Sequence, residues 1–283
     1  MTNDDQEIFW SQSAGPAWVF LQSQMDCLMQ PVLDLVLEAA VLRPGDRVLD
    51  VGCGTGASVL EASVRVGDGG HVTGLDIADT MLDLARARLA DHPNTSLIKA
   101  DAQNHAFEPG AYDALISRFG VMFFDDTVAA FGNMTRGLAP GAALTLATWG
   151  PAPDNPWFME PASAARDVLG PMPKVDRTLP GPFAFEDPAR IMPMLEQAGL
   201  VDLQCATHAL ALTPRGSVKD AADLCCRIGP ADSALQYYEA SDAERAMVSD
   251  AIALRFAQFD GADGLRIPAS IHIYEARNPP DRP

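Results

Sequence analysis

The stretch Val48-Leu49-Asp50-Val51-Gly52-Cys53-Gly54-Thr55-Gly56 constrains this chain more than any other. An apolar, β-branched run stops at three closely spaced glycines, and a helical pattern begins at Ala57. A buried strand, a tight turn and a helix start in that order make the ligand-facing loop of a βαβ unit. Glycine is needed because the backbone turns sharply and a ligand comes too close for a Cβ, while the helix start offers unpaired N–H groups. Twenty residues after Gly56, Asp76 ends the next apolar run, where a carboxylate can take both hydroxyls of a ribose.

The same alternation continues along the chain. It predicts strands over residues 47–51, 71–75, 96–100, 114–117 and 143–149. Helices are expected over 57–66, over 80–90, and from Asp125 or Asp126 to about Arg136. A helical leader over 7–41, broken at Gly15-Pro16, precedes them. Prolines at 151, 153, 156, 161, 171, 173, 180 and 182 predict an irregular segment over 150–182. Beyond it the pattern predicts a helix over 188–198, a strand over 201–212, helices over 217–227 and 232–256, and a last strand over 265–276. Leu265, Ile267, Ala269, Ile271 and Ile273 alternate with other residues, which places that strand near a sheet edge. The expected fold class is α/β: a Rossmann-like, seven-stranded, mostly parallel sheet with helices on both faces. Residues 1–42 would form the leader, 43–150 the ligand-binding core, and 151–283 the proline-rich segment, last strands and a helical cap within the same domain.

Charge narrows the function. Thirty-eight acidic against twenty basic residues give a net charge of −18, which repels nucleic acid and anionic lipid, so a small molecule is the expected partner. No stretch is long and apolar enough to span a membrane, and the acidic start is unlike a secretory signal, so a cytoplasmic protein is expected. The cysteines, Cys27, Cys53, Cys205, Cys225 and Cys226, are odd in number and show neither a disulfide framework nor zinc spacing. No metal site is expected, and a trivalent-arsenic acceptor, which would want several converging thiols, is a minor alternative. Quaternary state has no signature in the sequence.

Two details choose among nucleoside ligands. Ala57 stands where the third glycine of a dinucleotide-binding loop would be, and Asp50 would repel a pyrophosphate. The same carboxylate suits a ligand bearing an ammonium and a sulfonium, which favours S-adenosylmethionine over NAD.

With these residues the chain resembles the class I S-adenosylmethionine-dependent methyltransferases, in particular the small-molecule branch related to the ubiquinone/menaquinone C-methyltransferases. The resemblance covers about residues 30–150. It implies that Asp50, Gly52, Cys53, Gly54 and Gly56 hold the methionine half of the cofactor and Asp76 the ribose. Lys99-Ala100-Asp101-Ala102 resembles the next motif, so Asp101 would accept from the adenine amino group with Ala102 and Gln103 flanking the ring, as would Ile77 and Met81. The run from Tyr112 to Phe119, with Ser117 and Arg118, resembles the motif ending beside the transferable methyl. Leu138-Ala139-Pro140-Gly141-Ala142, preceded by Arg136, resembles the family's R-x-L-x-P-G-G turn, with Ala142 in place of the second glycine. The expected product is S-adenosylhomocysteine.

For the acceptor, Phe119, Met122 and Phe123 would form an apolar wall at the carboxyl ends of the strands. Trp18, Trp149 and Trp157 are further lining candidates. Trp10, Trp18, Gln22 and Asp26 lie in the leader, which in similar proteins folds over the cofactor as a lid. His105, Tyr237 and Tyr238 are the candidate general bases, and His208 and His272 read as structural. None has a motif around it, so the acceptor nucleophile, C, N, O or S, stays open, with thiol, phenol or quinol-like molecules as candidates. Two other functions are carried forward: an NAD-dependent oxidoreductase, and a non-catalytic adenosyl-ligand-binding protein whose acceptor space would be blocked.

Overall fold

The structure, a computed structural model, describes residues 2–280. The chain opens with helix α1 (Asn3–Ile8), a π-helical turn (Phe9–Ser13), α2 (Ala14–Phe20) and α3 (Gln22–Ala40). The leader is therefore helical from Asn3, and Gly15-Pro16 does not break it. The π turn immediately before absorbs the proline, whose missing N–H needs no partner near a helix start. The interruption falls instead at Leu21, between α2 and α3.

Next come β1 (Arg47–Val51), α4 (Ala57–Val66), β2 (His71–Asp76), α5 (Asp79–Arg88), β3 (Thr95–Lys99) and β4 (Tyr112–Arg118). They are followed by α6 (Thr127–Gly137) and β5 (Leu138–Trp149). Asp126, not Asp125, caps α6 by accepting from Ala129 N at 2.9 Å. The expected turn at Ala139-Pro140-Gly141 is drawn into β5, where the pairing with β4 shifts register between Tyr112 and Ala114.

The segment after β5 is not irregular throughout. Residues Pro156–Leu169 form helix α7, because Pro156 sits in its first turn, where no N–H is required. Asn155 locks that start: its side chain donates to the carbonyls of Gly150 and Pro151 and accepts from Ser270 N. Residues 170–187 carry no α-helix or strand, as the prolines predicted. Then follow α8 (Pro188–Gln197), β6 (Val201–Leu212), α9 (Val218–Cys225), α10 (Pro230–Tyr237) and α11 (Asp242–Phe256). The single helix expected over 232–256 is two, parted where Glu239 takes a left-handed conformation (φ 48°) and Ser241 caps α11. A short hairpin, β7 (Asp260–Gly261) and β8 (Gly264–Leu265), leads into β9 (Ile267–Arg277).

The seven-stranded sheet runs β3-β2-β1-β4-β5-β9-β6. Strands β1 to β5 are parallel, and β9 is antiparallel to both β5 and β6. This is the expected Rossmann-like, mostly parallel sheet. The last strand is near the edge as expected, one strand in from it, but β9 has no wetter face: both of its faces are covered, and β6 is the wetter edge strand. Helices α3 and α4 pack on one face, and α6 and α8 on the other. Helices α7, α9, α10 and α11 pack on one another as a cap beside β9, and the π turn and α2 lie on α5.

Candidate cofactor and acceptor site

The chain leaves β1 and adds β2 and β3 on one side, then returns to add β4 on the other, so a crevice opens between the ends of β1 and β4. Two loops meet there. A Cβ on Gly52 would lie 2.4 Å from Gly120 Cα, so neither loop could approach the other with a side chain in place. Gly52, Gly54 and Gly56 all have positive φ (71°, 55° and 85°), which explains glycine at each.

A cavity of about 1410 Å³ begins at this crevice and reaches the cap. Of the residues singled out in the sequence, Gly52, Cys53, Gly54, Asp76, Ile77, Met81, Asp101, Ala102, Arg118, Phe119, Met122, Phe123, Trp18, Trp149 and Trp157 line it. Trp10, Gln22 and Asp26 of the leader line it too. Asp50, Gly56, Ser117 and Gln103 lie elsewhere. Asp50 is fully buried behind the glycine loop; one carboxylate oxygen accepts from Ser58 Oγ and the other has no partner. Gly56 starts α4 and packs against Ala85. Ser117 is buried and donates to Val51 O at 2.6 Å, tying the ends of β4 and β1 together. The Gln103 side chain accepts from Asn3 Nδ2 and faces the leader.

All three candidate bases are outside the cavity wall. His105 packs edge-on against Phe107 with centroids 4.7 Å apart. Tyr237 is exposed on α10, and Tyr238 donates to Pro171 O at 2.8 Å. Among the described residues no imidazole lines the cavity. His272 is buried in the sheet, bonded to Thr207 and Glu186 O, which burial and those partners make structural. Nor do the described residues hold a cluster of three or more metal-ligating side chains.

The electrostatics follow from burial. Desolvation raises the Asp50 carboxyl to about 7, against the pull of Ser58 and the more distant Arg118. Asp76 is also raised by burial, opposed by backbone N–H groups: Ala78 N at 2.9 Å and Gly54 N at 2.7 Å donate to it. Burial pushes the Cys53 thiol up, so it is no thiolate nucleophile. Burial also lowers the pKa of the Arg118 guanidinium, although Asp26 and Asp50 hold it up.

The leader closes one side. Asn3 donates to Asp101 Oδ2 at 2.9 Å and accepts from Asp125 N, while Lys99 bridges Glu7 and Asp79. Trp10 lies edge-on to both Trp18 and Phe123, at 6.0 and 5.3 Å. Asn3 carried no sequence signal, since a lone asparagine near a chain start has no pattern. On the opposite side an aromatic ladder climbs away from the crevice. Phe119 stacks on Trp149 (4.4 Å, 6° between planes), Trp149 meets Phe158, and Phe158 meets Phe183. Phe119 itself has φ 66°, a strained conformation for a phenylalanine, which turns its ring toward that ladder. Phe158 and Phe183 were invisible in the sequence because only the fold of residues 150–187 brings them to β4.

The shape admits S-adenosylmethionine: a glycine cradle with no Cβ, and carboxylates at Asp76 and Asp101 on the cavity wall. Residues 48–141 match the family described as "Methyltransferase domain". Nocamycin O-methyltransferase of Saccharothrix syringae is 31% identical over 186 residues, 62% of this chain and 66% of that protein. Demethylmenaquinone methyltransferase of Staphylococcus aureus is 35% identical over 109 residues, 38% of this chain and 45% of that protein. The chain thus matches less than two thirds of these relatives' own lengths. Among solved structures, phosphoethanolamine N-methyltransferase 2 of Haemonchus contortus in complex with S-adenosyl-L-methionine shares the fold. Its TM-score is 0.53 at 18% identity, covering 88% of this chain and 52% of that one.

Proposed function

Residues 48–141 being a methyltransferase domain, we propose that this protein transfers the methyl group of S-adenosylmethionine to a small-molecule acceptor held in the aromatic chamber. The observation that carries the reading is one continuous cavity joining the glycine loop and Asp76 to the Phe119–Trp149 ladder. Gly52 and Gly54 would take the methionine half, Asp76 the ribose hydroxyls, and Asp101 with Ala102, Ile77 and Met81 the adenine. Arg118 is the cation on the cavity wall at this end, and the leader closes over the adenosine. When bound, the cofactor supplies an activated methyl: the acceptor's lone pair takes the methyl carbon, and the C–S electron pair stays on sulfur, leaving S-adenosylhomocysteine.

The chain's own work is positioning. Phe119 and Trp149 fix the acceptor's plane, Met122 and Phe123 exclude water, and orientation alone can supply about 7–11 kcal/mol of such a barrier. Among the described residues no imidazole lines the chamber, so an acidic acceptor would arrive ionised or lose its proton to water. The open chamber favours an enzyme over the non-catalytic ligand-binding reading, and Ala57 in place of a third glycine weighs against NAD. Five unpaired thiols fit a reducing compartment, on which ground we place the protein in the cytoplasm; among the described residues no helix is long and apolar enough to cross a membrane.

The test is calorimetric titration with S-adenosylhomocysteine. We expect saturable binding, weakened about tenfold or more in Asp76→Ala, because a charge-assisted hydrogen bond to ribose contributes about 1.5–3 kcal/mol. Absence of binding by the wild-type protein overturns the reading.

A further inference from the structure

We propose that the acceptor is a bulky, largely apolar molecule carrying an anionic group, and that Arg227 and Arg245 at the cap end of the cavity receive that group. The inference rests on the methyl-transfer reading and adds the acceptor's class to it.

Size comes first. A single small ligand fills about 300–1,000 Å³. The cavity holds about 1410 Å³ and the cofactor would occupy only its crevice end, so the space left calls for a second molecule of substantial bulk. Its middle is walled by Phe119, Trp149, Phe158 and Phe183, joined ring to ring from the end of β4 to the proline-rich segment. Such a wall takes an apolar, flat body by burial and stacking.

Charge comes second. Six ionisable side chains line the cap end of this cavity. Arg177 is bound to Glu186 at 2.7 Å, Arg166 lies 3.6 Å from its neighbour Asp167, and Asp176 is engaged by Thr178. Three are left: Arg227, Arg245 and Asp232. No carboxylate of the described residues lies within ion-pair distance of either arginine. Arg245 donates to Cys226 O, and Arg227 sits 5.9 Å over the ring of Phe20, itself 76% exposed at the mouth. Asp232 stands near Arg245, its carboxyl raised by burial, and accepts from Gln236 Nε2 at 2.7 Å. Two guanidiniums against one carboxylate make this end locally positive in a chain whose net charge is −18. Guanidinium forks left open on a cavity wall suit a carboxylate, sulfonate or phosphate oxygen pair. An acceptor entering past Phe20 would leave its anion on the cap and extend its apolar body along the ladder to the crevice.

The experiment uses two fluorescent probes of one skeleton, anionic 8-anilino-1-naphthalenesulfonate and neutral N-phenyl-1-naphthylamine, with the 283-residue chain saturated with S-adenosylhomocysteine. We expect the sulfonate to bind about tenfold more tightly than the neutral probe. The double variant Arg227→Gln/Arg245→Gln should abolish that preference while leaving the neutral probe and S-adenosylhomocysteine unchanged. Phe183→Ala should weaken both probes, which locates them on the ladder. Equal binding of the two probes, a preference that survives the double variant, or indifference of both probes to Phe183→Ala overturns the proposal. Calorimetry of S-adenosylhomocysteine on the same proteins reports separately on the cofactor, so equal binding of the two probes by the wild-type protein with cofactor affinity intact sinks only the acceptor class.

Discussion

Asp50 shows how one side chain couples the site to the stability of the sheet. It is fully buried with one oxygen unpartnered, and its carboxyl is raised from 3.8 to about 7. The folded protein therefore keeps a proton on Asp50 that the unfolded chain releases near pH 4. Its contribution to stability is complete below about pH 4 and is lost as pH rises to about 7, at up to about 1.4 kcal/mol per pH unit. Replacing Asp50 by Asn removes this slope, so urea midpoints of the variant should fall less between pH 5 and pH 7 than those of the wild type. An unchanged slope would mean that the carboxylate is ionised throughout. Asp76 is the complementary case, because its carboxylate is already engaged by the N–H groups of Gly54 and Ala78. Asp76→Ala should therefore loosen the glycine loop as well as lose the ribose contact, and its effect on S-adenosylhomocysteine affinity should exceed that on thermal stability. Spacing made both acids legible. Their burial was not, because neither desolvation nor a missing partner is written in a local pattern.

At the scale of elements, the crossing of the β1 and β4 loops is the tightest point of the site. A Cβ on Gly120 would stand 2.4 Å from Val51 O and 2.6 Å from Gly52 Cα, both backbone atoms that cannot swing aside. Gly120→Ala is expected to cost about 1–3 kcal/mol in urea denaturation, the range for forcing a methyl into packed structure, and to weaken S-adenosylhomocysteine binding. A neutral result would show that the two loops can part. The glycine loop was readable because strand, turn and helix follow one another in sequence. Gly120 was not, since the backbone it meets lies about seventy residues away. The same contrast separates the well-placed helix at 57–66 from α7, where prolines that signal irregularity in general serve as a helix start and a tolerated interior residue.

Over the whole molecule, the excess of acids acts as self-repulsion. With a net charge of −18, raising ionic strength from about 10 mM to about 150 mM, which shortens the screening length from roughly 30 to 8 Å, should raise the thermal midpoint. A falling midpoint would mean that ion pairs such as Arg88–Asp26 outweigh the repulsion. The sequence by itself determined the βαβ succession, the glycine loop and the acid at the end of β2, because each is set by neighbours within a few residues and by hydrophobic period. Tertiary structure alone decided that β9 lies between β5 and β6, that His105 and Tyr237 stand apart from the cavity, and that Trp10, Trp149, Phe158 and Phe183 share it. Those facts depend on which distant segments bury against one another, and long-range packing leaves no local period in a chain.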